Sequence, residues 1–148
     1  ALLFMVVGII IATTKERQID KLSGLGKVLP VTAVCAAIGA LGISGMPPLG
    51  IFNSEWMIFA GGFGSGYSPA LTILTLIGSL FTVVYALRFF GKIFFGKLMP
   101  GFESTIAPKA LLIPTVAVTI FLLVEGLLPA PLLSWVMKGL AVVFGGGT

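Results

Sequence analysis

The sequence predicts an all-α protein that crosses the lipid bilayer several times and has one interrupted helix. Apolar residues make up 57% of the 148 residues and charged residues only 9%, whereas soluble proteins average about a quarter charged residues. The apolar residues form long runs separated by short polar segments, as in membrane-spanning helices. Two adjacent prolines divide one of these runs, and prolines stop a helix from continuing. The low charge excludes a soluble domain and a disordered chain.

Four apolar runs give the order of the helices in a predicted bundle over residues 1–131. The runs cover residues 1–13, 28–62, 69–90 and 110–128. As a helix, the first run is about 20 Å long, which is shorter than the hydrocarbon core of about 30 Å. We therefore expect the numbering to start inside a helix, so that the chain is the carboxy-terminal portion of something longer. Residues 132–148 are predicted to form a short amphipathic tail.

The second run is long enough for two spans or for one broken span. Its interruption contains the helix-breaking residues Gly45, Pro47, Pro48 and Gly50. If the second run is a single span, the loop at 14–27 and the loop at 91–109, which follows the third run, lie on the same side of the membrane. Their lysines and arginines are then all on that side. Two spans would divide them, against the usual excess of basic residues on cytoplasmic loops. We therefore predict one discontinuous helix, cytoplasmic basic loops and an external carboxyl terminus.

Glu55 is the main candidate for chemistry. It lies at least one turn inside an apolar stretch, next to Asn53 and Ser54, and a carboxylate there is costly unless it is protonated, paired or hydrated. An acid in such surroundings can take up and release a proton as they change. The alternative is a structural acid paired with a basic residue of another helix. No lysine of this chain lies at that depth, so the partner would have to come from elsewhere.

Two weaker candidates lie on the later helices. Hydroxyl groups recur at a spacing of three or four residues on the third run, which places them on one helix face. These residues are Thr72, Thr75, Ser79 and Thr82. Such a stripe could line a hydrated path, or it could simply permit close helix packing. Glu125, near the outer end of the last helix, is either an acid at an exit or an interfacial carboxylate that reaches water.

Several kinds of chemistry are excluded by residue types that the sequence lacks. It has no histidine and a single cysteine, Cys35, so a Cys/His metal site, haem ligation and a Ser-His-Asp triad cannot be built from it. No nucleotide-binding glycine loop is present. The net charge of +4 comes from basic residues between apolar runs and is explained by membrane orientation, not by nucleic-acid binding. We expect no catalytic residue, metal or cofactor in this chain.

The stretch from Leu29 to Phe59, LPVTAVCAAIGALGISGMPPLGIFNSEWMIF, resembles the second discontinuous helix of antiporter-like proton-translocating subunits. The preceding IDKLSGLGKVLP and the later VVYALRFFGKIFFG are similar to the segments that flank that helix. These subunits occur in respiratory complex I, multisubunit Na⁺/H⁺ antiporters and membrane-bound hydrogenases. The resemblance implies a fold of two inverted repeats, each built around a broken helix. It also implies that Glu55 is the outward-side proton site and that the chain is similar to the M-type subunit of complex I.

The resemblance leaves three functional hypotheses open. The first is an ion-translocating part of a complex I-like or hydrogenase-type respiratory complex in a prokaryotic cytoplasmic membrane, with redox chemistry in partner subunits. The second is a subunit of a stand-alone multisubunit Na⁺/H⁺ antiporter, and the third is a non-conducting structural subunit. In each case the expected partners are lipid and other membrane subunits, including a missing amino-terminal half or a companion antiporter-like subunit. The transported ions would be protons and, for an exchanger, sodium.

Overall fold

The computed structural model describes residues 1–64, 69–102, 105–128, 130, 134–135 and 138–139. These residues form five α-helices and no β-strand, which confirms the predicted all-α class. The helices are α1 (Leu2–Thr14), α2 (Pro30–Ile43), α3 (Gly50–Gly64), α4 (Pro69–Phe94) and α5 (Lys109–Leu127). The predicted tail at 132–148 lies outside the described residues except at four positions.

Two helices are long and apolar enough to cross a membrane. In α4 and α5, the most apolar 18-residue windows have mean hydropathies of 2.1 and 2.2, yet only 11% and 17% of those windows are buried. A core helix of a soluble protein would be mostly buried. Large side chains such as Leu74 and Phe81 are instead 65% and 70% exposed, as expected for surfaces that face lipid or other membrane helices.

The segment between α1 and α2 is packed against the end of α4. It contains two short 3₁₀ turns, Ile19–Lys21 and Leu25–Lys27. The Gly24 backbone N–H and the Ser23 hydroxyl each donate a hydrogen bond to the Phe95 carbonyl, both at 3.1 Å. Gly24 has φ 69° and lies so close to the backbone after α4 that no side chain fits. We call the segment between α1 and α2, together with the end of α4 that it contacts, the basic end of the bundle.

The break between α2 and α3 interrupts a single span. Before α2, a Cβ built on Gly26 would lie 2.8 Å from the Phe94 carbonyl oxygen, at the end of α4. Near the end of α3, Gly62 packs against Thr72, close to the start of α4. Phe94 and Thr72 are separated by about 33 Å along α4 at 1.5 Å per residue. Together α2 and α3 therefore cross this thickness once, whereas a hairpin would return to its starting level.

Packing is dense at the basic end and sparse around α3. The main apolar cluster joins α1, α2, α4 and the segment before α2, with Val6, Leu25, Ala36 and Ile93 almost fully buried. None of the α3 residues is buried. The helix that carries Glu55 is thus the one least held by contacts within the described residues.

Candidate functional site

The Glu55 carboxylate lies between the break and α4. The Ser79 hydroxyl donates a hydrogen bond of 3.1 Å to Glu55 Oε1. The other carboxylate oxygen faces Gly45, where a Cβ would overlap it and would lie 2.8 Å from the Glu55 Cδ. Gly45 also has φ 63°, a left-handed conformation that favours glycine. The break therefore needs glycine at this position both for its backbone and for the space that the carboxylate fills.

This site lies well inside the span. Ser79 is about 15 Å from the start of α4 at Pro69 and about 22 Å from its end at Phe94, counted at 1.5 Å per residue. Glu55, which it contacts, is therefore at a depth near the middle of a hydrocarbon core about 30 Å thick. Glu55 is partly buried, and neither of the ion pairs formed by the described residues includes it.

Only one of the predicted hydroxyl groups on α4 reaches Glu55. The Thr75 hydroxyl donates to the Leu71 carbonyl at 2.9 Å, within its own helix, and Thr82 donates to Gly78 at 3.5 Å. Thr72 is buried against α3. The structure thus brings Ser79 to the site, uses Thr72 in helix packing, and leaves Thr75 and Thr82 bonded to their own helix.

Asn53 and Ser54 face a different space from Glu55. Both line a cavity of about 750 Å³ beside the break, together with Tyr85 of α4 and Glu125 of α5. The remaining lining is mostly apolar and comes from all five helices. Ser54 donates a hydrogen bond of 2.9 Å to the Ile51 carbonyl. The sequence grouped Asn53 and Ser54 with Glu55, but the helical turn directs them to this cavity instead.

Glu125 lies against the break from the α5 side. A Cβ built on Gly50, the first residue of α3, would lie 3.5 Å from both Cδ and Oε1 of Glu125. The sequence predicted either an acid at an exit or an interfacial carboxylate that reaches water, and it did not indicate this contact with the break. The following residue, Gly126, explains its position because α5 contacts the backbone of Pro48 and Leu49 there, leaving no room for a side chain. The signal in the sequence was this glycine within an apolar helix.

The basic end carries the ion pairs. Lys92 of α4 pairs with Asp20, and this hydrogen-bonded partner lowers the pKa of the Asp20 carboxyl. Backbone N–H groups of Gln18 and Arg17 donate to Glu16 and lower its pKa, with a smaller effect from Lys21. The Asp20–Lys92 pair connects the segment before α2 to α4, whereas the partners of the Glu16 carboxylate lie within that segment. Among the described residues, no group of three or more His, Cys, Asp or Glu side chains could hold a metal ion.

Comparison with known proteins identifies similar sequences and a similar fold. Residues 1–82 match the family described as NADH:quinone oxidoreductase/Mrp antiporter, TM. The Na⁺/H⁺ antiporter subunit A1 of Staphylococcus saprophyticus is 33% identical in an alignment 141 positions long that covers 86% of this chain and 17% of that protein. Its counterpart in Staphylococcus haemolyticus is 28% identical, over 92% of this chain and 18% of that protein. The chain therefore spans less than a fifth of the length of these relatives.

A solved structure, the Mrp complex from Dietzia sp. DQ12-45-1b, contains a chain with the same fold. The TM-score is 0.77 with 21% sequence identity, and the match covers 89% of this chain and 33% of the other. The matched family segment ends at residue 82, so it includes Glu55, Ser79 and the break. Glu125 and all of α5 lie beyond it.

Proposed function

Because this chain belongs to the NADH:quinone oxidoreductase/Mrp antiporter transmembrane family, we propose that it is part of an ion-translocating subunit of a multisubunit Na⁺/H⁺ antiporter. The names of the staphylococcal relatives favour the antiporter over a redox-driven complex. The family also includes NADH:quinone oxidoreductases, so subunits that copurify with the protein distinguish the two. Small membrane subunits alone indicate an antiporter, whereas iron–sulfur subunits indicate a redox pump.

The observation that carries this proposal is the environment of Glu55. A charged carboxylate at the centre of a bilayer costs about 2.5–3.5 kcal/mol, so an acid kept there needs a reason. Among the described residues, the hydrogen-bond partner of Glu55 is the Ser79 hydroxyl, a group without charge. An acid at this depth beside a neutral hydroxyl group supports the proposal of proton exchange.

The two neighbours of Glu55 suit an acid that changes its protonation state. A hydroxyl group can donate a hydrogen bond to a carboxylate and accept one from a protonated carboxyl, so Ser79 can hold Glu55 in both forms. The interrupted backbone at Gly45 leaves the carboxylate room beside the break. Glu55 itself is only partly buried, so its carboxyl group is not held within the packed core of this chain.

The same proposal assigns the membrane, the orientation and the partners of the subunit. The subunit lies in a prokaryotic cytoplasmic membrane with its basic loops on the cytoplasmic side and its carboxyl terminus outside, as the distribution of lysine and arginine favours. Its partners are lipid and the other membrane subunits of the complex. Protons pass through Glu55 in exchange for sodium, and the chain contributes no cofactor.

The substitution Glu55→Gln tests the proposal because it keeps the shape of the side chain and removes its ionisable proton. We expect sodium-driven proton exchange, measured with a pH-sensitive dye in everted vesicles containing the full complex, to fall at least about tenfold. Glu16→Gln is the matched control, since Glu16 lies at the basic end, outside the spanning helices. If Glu55→Gln exchanges protons for sodium as fast as the unsubstituted complex, at equal amounts of assembled complex, the role of Glu55 is refuted.

A further inference from the structure

We propose that Glu125 of α5 is a second proton-exchanging carboxyl of this pathway, reached from the cavity beside the break. The inference rests on the proposed function, and it concerns a residue outside the segment that the family model matches. Three observations carry it: the contact of α5 with the break, the position of Glu125 at the cavity, and the arrangement of Glu55 and Glu125 about the break.

The contact of α5 with the break fixes the position of Glu125. At Gly126 a Cβ would lie 2.8 Å from the Leu49 Cα and 3.1 Å from the Gly50 backbone nitrogen, so two main chains meet there without an intervening side chain. Gly126 is itself buried. Backbone atoms cannot swing aside as a side chain can. The preceding residue, Glu125, is therefore held next to the first turn of α3.

The surroundings of Glu125 provide access. Glu125 lines the cavity of about 750 Å³, which also has Asn53, Ser54 and Tyr85 as polar lining residues. These polar groups can hydrogen-bond water beside Glu125. Water held there gives protons a route to the Glu125 carboxyl.

Glu55 and Glu125 occupy opposite ends of the interruption. Glu55 packs against Gly45, just after α2, and Glu125 packs against Gly50, where α3 begins. In each passage, a protonated Glu125 gives its proton to hydrogen-bonded water at the break, and that water gives a proton to the Glu55 carboxylate. Glu125 is left as a carboxylate and takes up the next proton from the cavity, and Glu55 passes its proton on before it accepts another. The proton count then balances over each passage, and no other reactant is needed for these transfers.

The alternative is a structural role, in which Glu125 only stabilises the start of α3. The substitution Glu125→Gln preserves shape and removes the proton, and Glu125→Asp retains a carboxyl on a shorter side chain. We expect exchange in the full complex to fall at least about tenfold in Glu125→Gln and to recover in part in Glu125→Asp, with Glu16→Gln again as the control. A structural role predicts parental exchange in Glu125→Gln whenever the complex assembles.

Accessibility gives a readout that does not depend on transport. The Glu125→Cys variant should react with a small charged methanethiosulfonate reagent at the substituted position, whereas the native Cys35, which is 3% exposed, should not react. A Glu125→Cys variant that is no more reactive than the unsubstituted protein, or an unchanged exchange rate in Glu125→Gln, would overturn the inference. If Glu55→Gln abolishes exchange and Glu125→Gln does not, the proposed function stands and only this inference fails. Exchange that survives Glu55→Gln would refute the role of Glu55 and, with it, the proton transfer from Glu125 to Glu55.

Discussion

Replacing Gly45 with alanine tests whether exchange depends on the position of the Glu55 carboxylate. A Cβ at residue 45 would overlap the nearer carboxylate oxygen and would lie 2.8 Å from the Glu55 Cδ. Carbon atoms in favourable contact are about 3.5–4.0 Å apart, so the Cδ must retreat by about 0.7 Å or more. The Glu55 side chain can move because the clashing atoms lie at the far end of a flexible side chain. The movement separates it from Ser79.

The loss of stability should be modest and the loss of exchange large. An alanine in the left-handed conformation of Gly45 costs roughly 1–2 kcal/mol, and a lost hydrogen bond costs about 0.5–1.5 kcal/mol. The free energy of unfolding should therefore fall by about 2–3 kcal/mol. A displacement near 1 Å of a reacting group lowers rates by about 100-fold. We expect sodium-driven proton exchange in everted vesicles to fall by about that factor, at equal amounts of assembled complex.

Two glycines provide matched controls for this substitution. Gly101 also has a positive φ, 97°, and a Cβ there would meet no atom within 4 Å. Gly101→Ala therefore introduces the backbone strain without touching Glu55. Gly78→Ala introduces neither backbone strain nor a contact with Glu55, because Gly78 is helical and a Cβ there would also meet no atom within 4 Å. If Gly45→Ala exchanges ions as fast as Gly101→Ala, the position of the carboxylate does not limit exchange and the reasoning is refuted.

Three further predictions follow from other contacts. Ser79→Ala should lower exchange about 5–10-fold, the equivalent of one hydrogen bond, whereas Thr75→Val should leave it at the parental rate because the Thr75 hydroxyl bonds within its own helix. Gly126→Ala should lower the free energy of unfolding by about 1–3 kcal/mol, measured by thermal denaturation, because the added Cβ meets backbone that cannot swing away. Asp20→Asn should lower the unfolding temperature at neutral pH. Because Lys92 lowers the pKa of Asp20, that difference should start to shrink as the pH falls below 3.8 and should vanish once the pH is below the lowered pKa of the folded protein. A difference that does not shrink with falling pH in this range would contradict the ion pair.

The helices and the break could be predicted from the sequence because each depends on local composition. Long apolar runs gave α4 and α5 to within a few residues, although α4 continues past the expected residue 90 to Phe94. The adjacent prolines marked the break, and the distribution of charge favoured one span over two. That choice agrees with the structure, in which Gly26 contacts the end of α4 and Gly62 contacts a residue close to its start.

The contacts of the site could not be predicted in the same way because they join residues far apart in the chain. Helical spacing placed Ser79 and Thr75 on one face, but it could not say which of them faces Glu55, 24 residues earlier. Likewise, the position of Glu125 depends on where α5 touches α3. Only a residue without a side chain permits that contact. Glycine within an apolar helix was therefore the informative signal.

The distribution of packing bears on why the acid and the break occur together in this part of the fold. The dense cluster of buried side chains lies at the basic end, where hydrogen bonds and the Asp20–Lys92 ion pair also join the segments. A proton site must change its hydrogen bonding in each cycle, and such changes are costly in a tightly packed core. Within the described residues α3 contributes no buried side chain, so the proposed proton site lies where this chain packs least tightly. The contacts at the basic end join α1, α2 and α4, and the proposed change of protonation at Glu55 takes place away from them.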